Sequence, residues 1–76
     1  MKEKRRILRS LLDRLRARYP VAVAEVGDQD LWNRATVGVA CVSNEGAHAH
    51  QVLGQVLRFV ESVGEVEIDG VEVRLA

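Results

Sequence analysis

His48 and His50 are the residues whose types point most directly to metal chemistry. They lie in a stretch with helical periodicity, where side chains two positions apart point about 200° apart around the axis. A zinc site needs three or four converging ligands, and the nearest carboxylate, Glu45, is one turn from His48 only. The pattern therefore predicts two histidines at a helix edge, with no metal and no cofactor.

The other candidates for catalysis lack the groups that would activate them. Cys41 is in register with Val37 and Val39 in a Val-rich stretch, where a cysteine usually behaves as a small apolar side chain. A nucleophilic thiol needs a neighbouring base and exposure. Asp28 and Asp30 are typical of a turn, with cation binding or acid–base chemistry as the weaker alternative. The glycines form no phosphate-binding pattern, so we predict that the chain is not an enzyme.

Positive charge is the strongest functional signal. Eight of the eleven Lys and Arg residues lie in the first eighteen positions beside two acids, so this stretch carries +6 and the rest of the neutral chain −6. Positive side chains along one helix can neutralise phosphates without reading sequence. The alternatives are a solvated helix face and contact with an acidic protein surface, including the acidic part of another copy. The candidate phosphate contacts are Lys4, Arg5, Arg6, Arg9 and Arg16.

Trp32 is the only tryptophan, and it lies in a polar segment between Asp30 and Arg34. An exposed tryptophan in a loop is typical of an anchor for a protein partner. The alternative is a side chain that packs against the edge of the sheet. Trp32 is therefore a candidate partner-binding residue.

Hydrophobic periodicity places these residues on regular elements. Residues 2–18 predict an amphipathic helix that Pro20 stops. Strands are predicted over 21–26 and 34–43, and the loop of about seven residues between them favours an antiparallel pair.

The second half of the chain predicts one more helix and one more strand. Ser43 or Asn44 is expected to cap the helix, and Gly64 ends it. The tail over 65–75 alternates as a strand does, with a hairpin turn or a bulge at Asp69-Gly70.

The predicted order is α-β-β-α-β in a single domain over residues 1–76. This is an α+β arrangement, a ferredoxin-like antiparallel sheet with two helices on one face and the first strand absent. The absent strand is central in the complete pattern, so backbone groups would be left unpaired. The flanking strands could close up in parallel, residues 71–75 could fold back into the gap, or a strand from another chain could fill it.

One face of the predicted sheet is flat and apolar. It lacks mid-strand aromatics, so base stacking of the RNA-recognition-motif type is not expected. Small apolar residues instead favour sheet-to-sheet packing between subunits, and we predict a homo-oligomer, expected to be a dimer. The partner-binding candidates on this face are Ala22, Ala24, Gly38 and Ala40. No apolar run reaches the ~18–20 residues of a membrane span, so a cytoplasmic location without membrane contact is expected.

Six segments between Lys2 and Leu53 carry a resemblance to a known family: Lys2-Glu3-Lys4-Arg5-Arg6, Val23-Ala24-Glu25-Val26, Gln29-Asp30-Leu31-Trp32, Arg34-Ala35, Val42-Ser43-Asn44 and His48-Ala49. In this order they resemble the YlxP-like family of small uncharacterised bacterial proteins. The resemblance implies a ferredoxin-like fold with an upstream strand and a short Pro/Gly loop before Lys2. A chain that starts at Met1 is then expected to lack that strand, whether as a truncated chain, a misassigned start or a shorter natural member.

The resemblance also bears on function. Members are often encoded among genes for ribosome maturation and translation initiation, which implies an RNA or ribosome setting without assigning an activity. The family has no agreed catalytic residues to transfer. The sequence therefore predicts a non-catalytic binding module that meets RNA or the ribosome through its basic N-terminal helix. The alternative is a structural homo-oligomer that binds no nucleic acid.

Overall fold

Two helices and two strands make up the regular structure in the computed structural model, which describes residues 2–74. In chain order they are α1 (Lys2–Arg18), β1 (Ala22–Gly27), β2 (Thr36–Ala40) and α2 (Gly46–Ser62). The strands pair antiparallel, and both helices contribute to one core with the inner face of β1. The predicted α+β class is confirmed.

Helix α1 has the bounds that its periodicity predicts. Leu11, Leu12 and Leu15 form its buried stripe at helical spacing. The backbone N–H of Tyr19 still donates to the carbonyl of Leu15 at 3.0 Å. The helix then ends because Pro20 has no N–H to donate and disfavours helical backbone at the residue before it.

Strands β1 and β2 pair in a register that places Val23 opposite Val39 and Ala24 opposite Gly38. Val23 is buried whereas Ala22 and Ala24 are exposed, so the strand alternates between core and solvent. Val26 is the extra residue of a bulge, since Glu25 faces Val37 and Gly27 faces Thr36. The bulge is followed directly by the loop that joins the strands.

Helix α2 buries Val52 and Val56 but begins later than predicted. Glu45 occupies the N-cap position and makes no capping bond with its side chain. The hydroxyl of Ser43 instead accepts the N–H of Glu45 at 3.1 Å. The prediction of Ser43 or Asn44 as the cap was wrong, because Ser43 uses its hydroxyl to shape the chain before the helix.

The centre of the core is Leu15, which is 1% exposed. Val23, Val56 and Val63 pack in the same cluster. Phe59 of α2 closes one end, where its ring meets that of Tyr19 edge-on at a centroid distance of 6.1 Å.

The tail does not form the predicted third strand over residues 65–74, and Leu75 lies outside the described residues. Val66 is half-buried against the core, whereas Val71 and Val73 are exposed. A strand needs a neighbour for its N–H and C=O groups, and within residues 2–74 the sheet consists of β1 and β2 only. The ferredoxin-like order is therefore matched over its α-β-β-α portion and not confirmed as a whole. None of the helices between residues 2 and 74 is both long and apolar enough to cross a membrane.

Candidate nucleic-acid interface

The predicted phosphate-contacting residues all lie on α1, but their surroundings differ. Arg5, Arg6, Arg9 and Arg16 are exposed, whereas Lys4 is half-buried. The buried leucine stripe of α1 leaves the four arginines towards solvent, whereas Lys4 falls on the leucine side, four residues before Leu8. What separates the five is whether each cation already has a partner within the chain.

Lys4 is directed into the chain. Its ammonium donates to the carbonyls of Asp28 at 2.8 Å and Leu31 at 2.7 Å, and it lies 3.1 Å from Oε2 of Glu25. The Lys4 side chain is only 12% exposed. Oε2 of Glu25 is buried and close enough for an ion pair, although it is not aligned for a hydrogen bond. Because two of the three donors of the ammonium are taken by carbonyls and a carboxylate already lies beside it, this geometry argues against a phosphate contact by Lys4.

Arg6 and Arg16 are exposed but paired. Arg6 contacts Glu3 at 2.6 Å and Glu65 at 3.2 Å. The hydrogen bond from Arg6, followed by its charge, lowers the pKa of Glu3, and the hydrogen bonds to Glu3 and Glu65 raise the pKa of Arg6. Arg16 contacts Asp13 at 3.3 Å, and its guanidinium also donates to a β1 carbonyl. These pairs reduce the positive charge that each arginine presents to a ligand.

Arg5 and Arg9 are the two predicted contacts that make no ion pair or side-chain hydrogen bond with residues 2–74. They are four residues apart and therefore neighbours on one side of α1. Both are exposed to solvent. Of the five predicted contacts, Arg5 and Arg9 are therefore the cations most available to a ligand.

A shallow groove separates α1 from β1, and we call it the α1 groove. Arg5 and Arg9 stand beside Leu8 and Leu12, which give it an apolar floor. The remaining lining residues are Asp13, Arg16 and Glu25. Since Asp13 is paired with Arg16 and Glu25 with Lys4, the groove combines apolar surface with net positive charge.

The segment over residues 28–34, which we call the Trp32 loop, follows β1 and lies against the N-terminal end of α1. Asp28 has a left-handed backbone with φ 59°, and its carboxylate accepts the hydroxyl of Thr36 at 2.7 Å. Arg34 is tied to Asp69 at 2.9 Å. Trp32 is 72% exposed, so it does not pack against the edge of the sheet. The loop is thus anchored at both ends while its tryptophan faces solvent.

The outer sheet face has the predicted composition of small apolar side chains. Ala22, Ala24 and Ala40 are exposed, and Gly38 is half-buried. A Cβ at Gly38 would approach Cγ1 of Val26 to 3.2 Å, so glycine gives Val26 room to lie flat across the strand.

Residues considered for catalysis or metal binding are not brought together. Nδ1 of His48 lies 3.0 Å from the hydroxyl of Ser43, and Cys41 is half-buried. Over the described range, no three His, Cys, Asp or Glu side chains converge as metal ligands would.

The contacts that sequence reasoning missed are those of Lys4 with the Trp32 loop. Lys4 is 24 residues from Asp28 and 27 from Leu31, so periodicity carries no signal for them. The charge pattern shows that a cation lies near the start of α1 and that acids lie near the loop, but it does not show that they meet.

Comparison with known proteins identifies the family of this chain. A sequence profile of the family described as "Protein of unknown function (DUF503)" matches residues 1–73. "Uncharacterized protein YlxP" of Bacillus subtilis (strain 168) is 37% identical over 67 residues, which cover 88% of this chain and 73% of that protein. No solved structure matches the chain. The resemblance to YlxP-like proteins is confirmed, and the chain belongs to the DUF503 family of proteins of unknown function.

Proposed function

We propose that this chain is a non-catalytic binding module that contacts the phosphate backbone of RNA, in a ribosomal setting, through helix α1. Arg5 and Arg9 make the principal contacts. Arg6 and Arg16 add charge once RNA phosphates compete with their carboxylate partners. Lys4 organises the neighbouring loop and contributes indirectly.

The observation that carries this proposal is the pair of exposed guanidinium groups at Arg5 and Arg9 without carboxylate partners among residues 2–74. An arginine that is already paired must lose an ion pair before it binds phosphate, whereas these two need not. Arginine is suited to phosphate because its planar fork donates two parallel hydrogen bonds. Two such groups one turn apart are supported by the +6 charge of the N-terminal stretch.

The salt dependence of RNA binding tests the proposal. The probe is a fluorescein-labelled hairpin of ribosomal RNA, titrated by anisotropy at several salt concentrations between about 50 and 200 mM. Replacing both arginines (R5E with R9E) should weaken binding and lower the slope of log K against log salt by about 2, or about 1 for each lost phosphate contact.

A control with the same change in net charge separates local contact from general attraction. The double variant R58E with R74E reverses two exposed arginines outside α1. This control variant should retain most of the slope of log K against log salt. If both double variants lose affinity and slope equally, or if neither does, α1 is not the phosphate-binding element.

Further parts of this proposal concern the whole chain. We place residues 1–76 in one domain of ferredoxin-like order that acts in the cytoplasm. The matching α-β-β-α portion and the +6 helix support this description. Limited proteolysis that releases a stable fragment much shorter than the chain would contradict the single domain.

A structural homo-oligomer without nucleic-acid binding is the second candidate function. Its support is the apolar outer sheet face, on which Val26 is exposed, together with Val42, which lies two residues beyond β2 and is 97% exposed. This area is small. The two strands lie about 4.8 Å apart and rise about 3.4 Å per residue over five residues, so the face covers on the order of 170 Å². A stable interface buries about 800 Å² per partner. The outer face alone is therefore too small for a stable dimer. It supports a secondary contact rather than the main function of the chain.

A further inference from the structure

The Trp32 loop has features of a preformed protein-binding element. Trp32 is 72% exposed and Leu31 is also exposed. Asp30 next to them makes no ion pair with the described residues. Lys4 holds two of the loop's carbonyls, which reduces the conformational entropy that is lost on docking.

The α1 groove has the complementary chemistry. Its floor is apolar at Leu8 and Leu12, and Arg5 and Arg9 line it without carboxylate partners in residues 2–74. A guanidinium both attracts a carboxylate and stacks on an indole ring. An element that presents tryptophan beside aspartate therefore fits this groove.

We propose that the Trp32 loop of one copy docks into the α1 groove of a second copy, and the reverse, to form a two-fold dimer. The chain supplies both halves of the match, since the N-terminal stretch is as positive as the remainder is negative. Trp32 does not fill the groove of its own chain, because it is largely exposed. This inference goes beyond the RNA-binding function and does not rest on it.

The position of the loop beside the groove permits closed symmetry. A second hollow, lined by Lys4, Arg5, Leu8, Glu25 and Gln29, continues the α1 groove up to the loop. The docking element and its receptor thus adjoin on one side of the chain. A two-fold rotation then places each loop opposite the other copy's groove, and the assembly stops at two.

Sedimentation of the full chain over a range of concentrations and salt tests the dimer. The wild type should associate reversibly, and salt should weaken the association because charges contribute. W32A and R9D should each raise the dimer Kd at least about tenfold, as expected for an interface anchor. R58E, which reverses an exposed arginine on α2, should leave the Kd within about twofold. Circular dichroism of each variant confirms that it is folded.

A mixture of two variants gives the sharpest test. R9D and D30R should each associate weakly alone, but an equimolar mixture should recover the dimer. In the mixed dimer one docking pair is native and the other has its charges exchanged. Recovery requires loop and groove to come from different copies. R9D mixed with E61R, which reverses an exposed glutamate on α2, has the same opposite net charges and should leave R9D unassociated.

The fluorescence of the single tryptophan reports the same event, since emission should shift to the blue as the dimer forms. A chain that stays monomeric at all concentrations would overturn the proposal. So would a dimer that V42D disrupts while W32A and R9D leave it unchanged, because the outer sheet face would then be the interface. The dimer and the RNA would compete for Arg5 and Arg9, which serve both proposals. RNA binding is therefore measured far below the dimer Kd, where either proposal can fail alone.

Discussion

Lys4 joins α1 to the Trp32 loop, and replacing it with methionine should destabilise the whole fold. The substitution keeps the aliphatic stem and removes the ammonium. The carbonyl of Leu31 loses its donor, the carbonyl of Asp28 keeps only the N–H of Leu31, and Glu25 loses its ion-pair partner. Because the Glu25 side chain is only 23% exposed, water replaces the lost partner incompletely.

The expected loss follows from these contacts. Hydrogen bonds from a charged donor contribute about 1.5–3 kcal/mol each, and breaking a buried ion pair costs about 3–5 kcal/mol. The carbonyls face solvent and Glu25 is partly exposed, so we expect about 2–4 kcal/mol in total. A 76-residue chain has a free energy of unfolding of about 4–11 kcal/mol. K4M should therefore remove a large part of it.

Urea denaturation followed by circular dichroism measures this loss. K2M is the matched control, because it removes the same charge from the exposed start of α1. Adding E25Q to K4M should recover about 1 kcal/mol, since the unpaired carboxylate is then absent. Hydrogen exchange should also show faster opening of the Leu31 amide, which donates to the carbonyl of Asp28.

The reasoning is refuted if K4M is no more destabilised than K2M, within about 0.5 kcal/mol. It is also refuted if E25Q destabilises K4M further by the full amount that it costs in the wild type. The first outcome would mean that the carbonyls are equally well solvated without Lys4. The second would mean that Glu25 and Lys4 do not interact.

Three other substitutions test the core, its edge and the charge pair at the start of α1. L15A should lower the free energy of unfolding by about 2–5 kcal/mol in urea, because Leu15 is the most deeply buried side chain of the core. F59L should lower the free energy of unfolding by about 1–2 kcal/mol in a thermal experiment. It removes the contact between the rings of Phe59 and Tyr19 and the contact of the Phe59 ring with the guanidinium of Arg18 at 4.6 Å. An unchanged Tm would show that these contacts contribute nothing. Arg6 lowers the pKa of Glu3 in the folded chain, so their interaction stabilises the fold at pH values above the pKa that this carboxyl has in the unfolded chain. The stabilisation is lost as the pH falls through the lower pKa of the folded chain. In R6Q the pKa of Glu3 by NMR titration should rise toward its ordinary value, and no change would contradict the pairing.

The parts of the fold that were predictable are those set by neighbours in sequence. The bounds of α1 agree because a leucine stripe and Pro20 act within a few residues. The inner and outer faces of β1 agree because alternation has period two. The start of α2 was predicted less well, since Ser43 had several backbone groups within its reach.

The predicted third strand shows the limit of local patterns. Alternation at Val66, Ile68, Val71 and Val73 satisfies the strand period. Pairing, however, depends on backbone groups supplied by another part of the chain. Over residues 65–74 that partner is missing, and the alternation leaves the last two valines exposed.

The sequence by itself determined two amphipathic elements, a hairpin and the concentration of positive charge on α1. Only the tertiary structure decided which cations remain available at the surface. Lys4 and Arg5 are adjacent in sequence, yet Lys4 reaches loop carbonyls 24 and 27 residues away and Arg5 stays exposed. Composition fixes the number of charges, but their pairing depends on which distant segments the hydrophobic core brings within about 3 Å of each other.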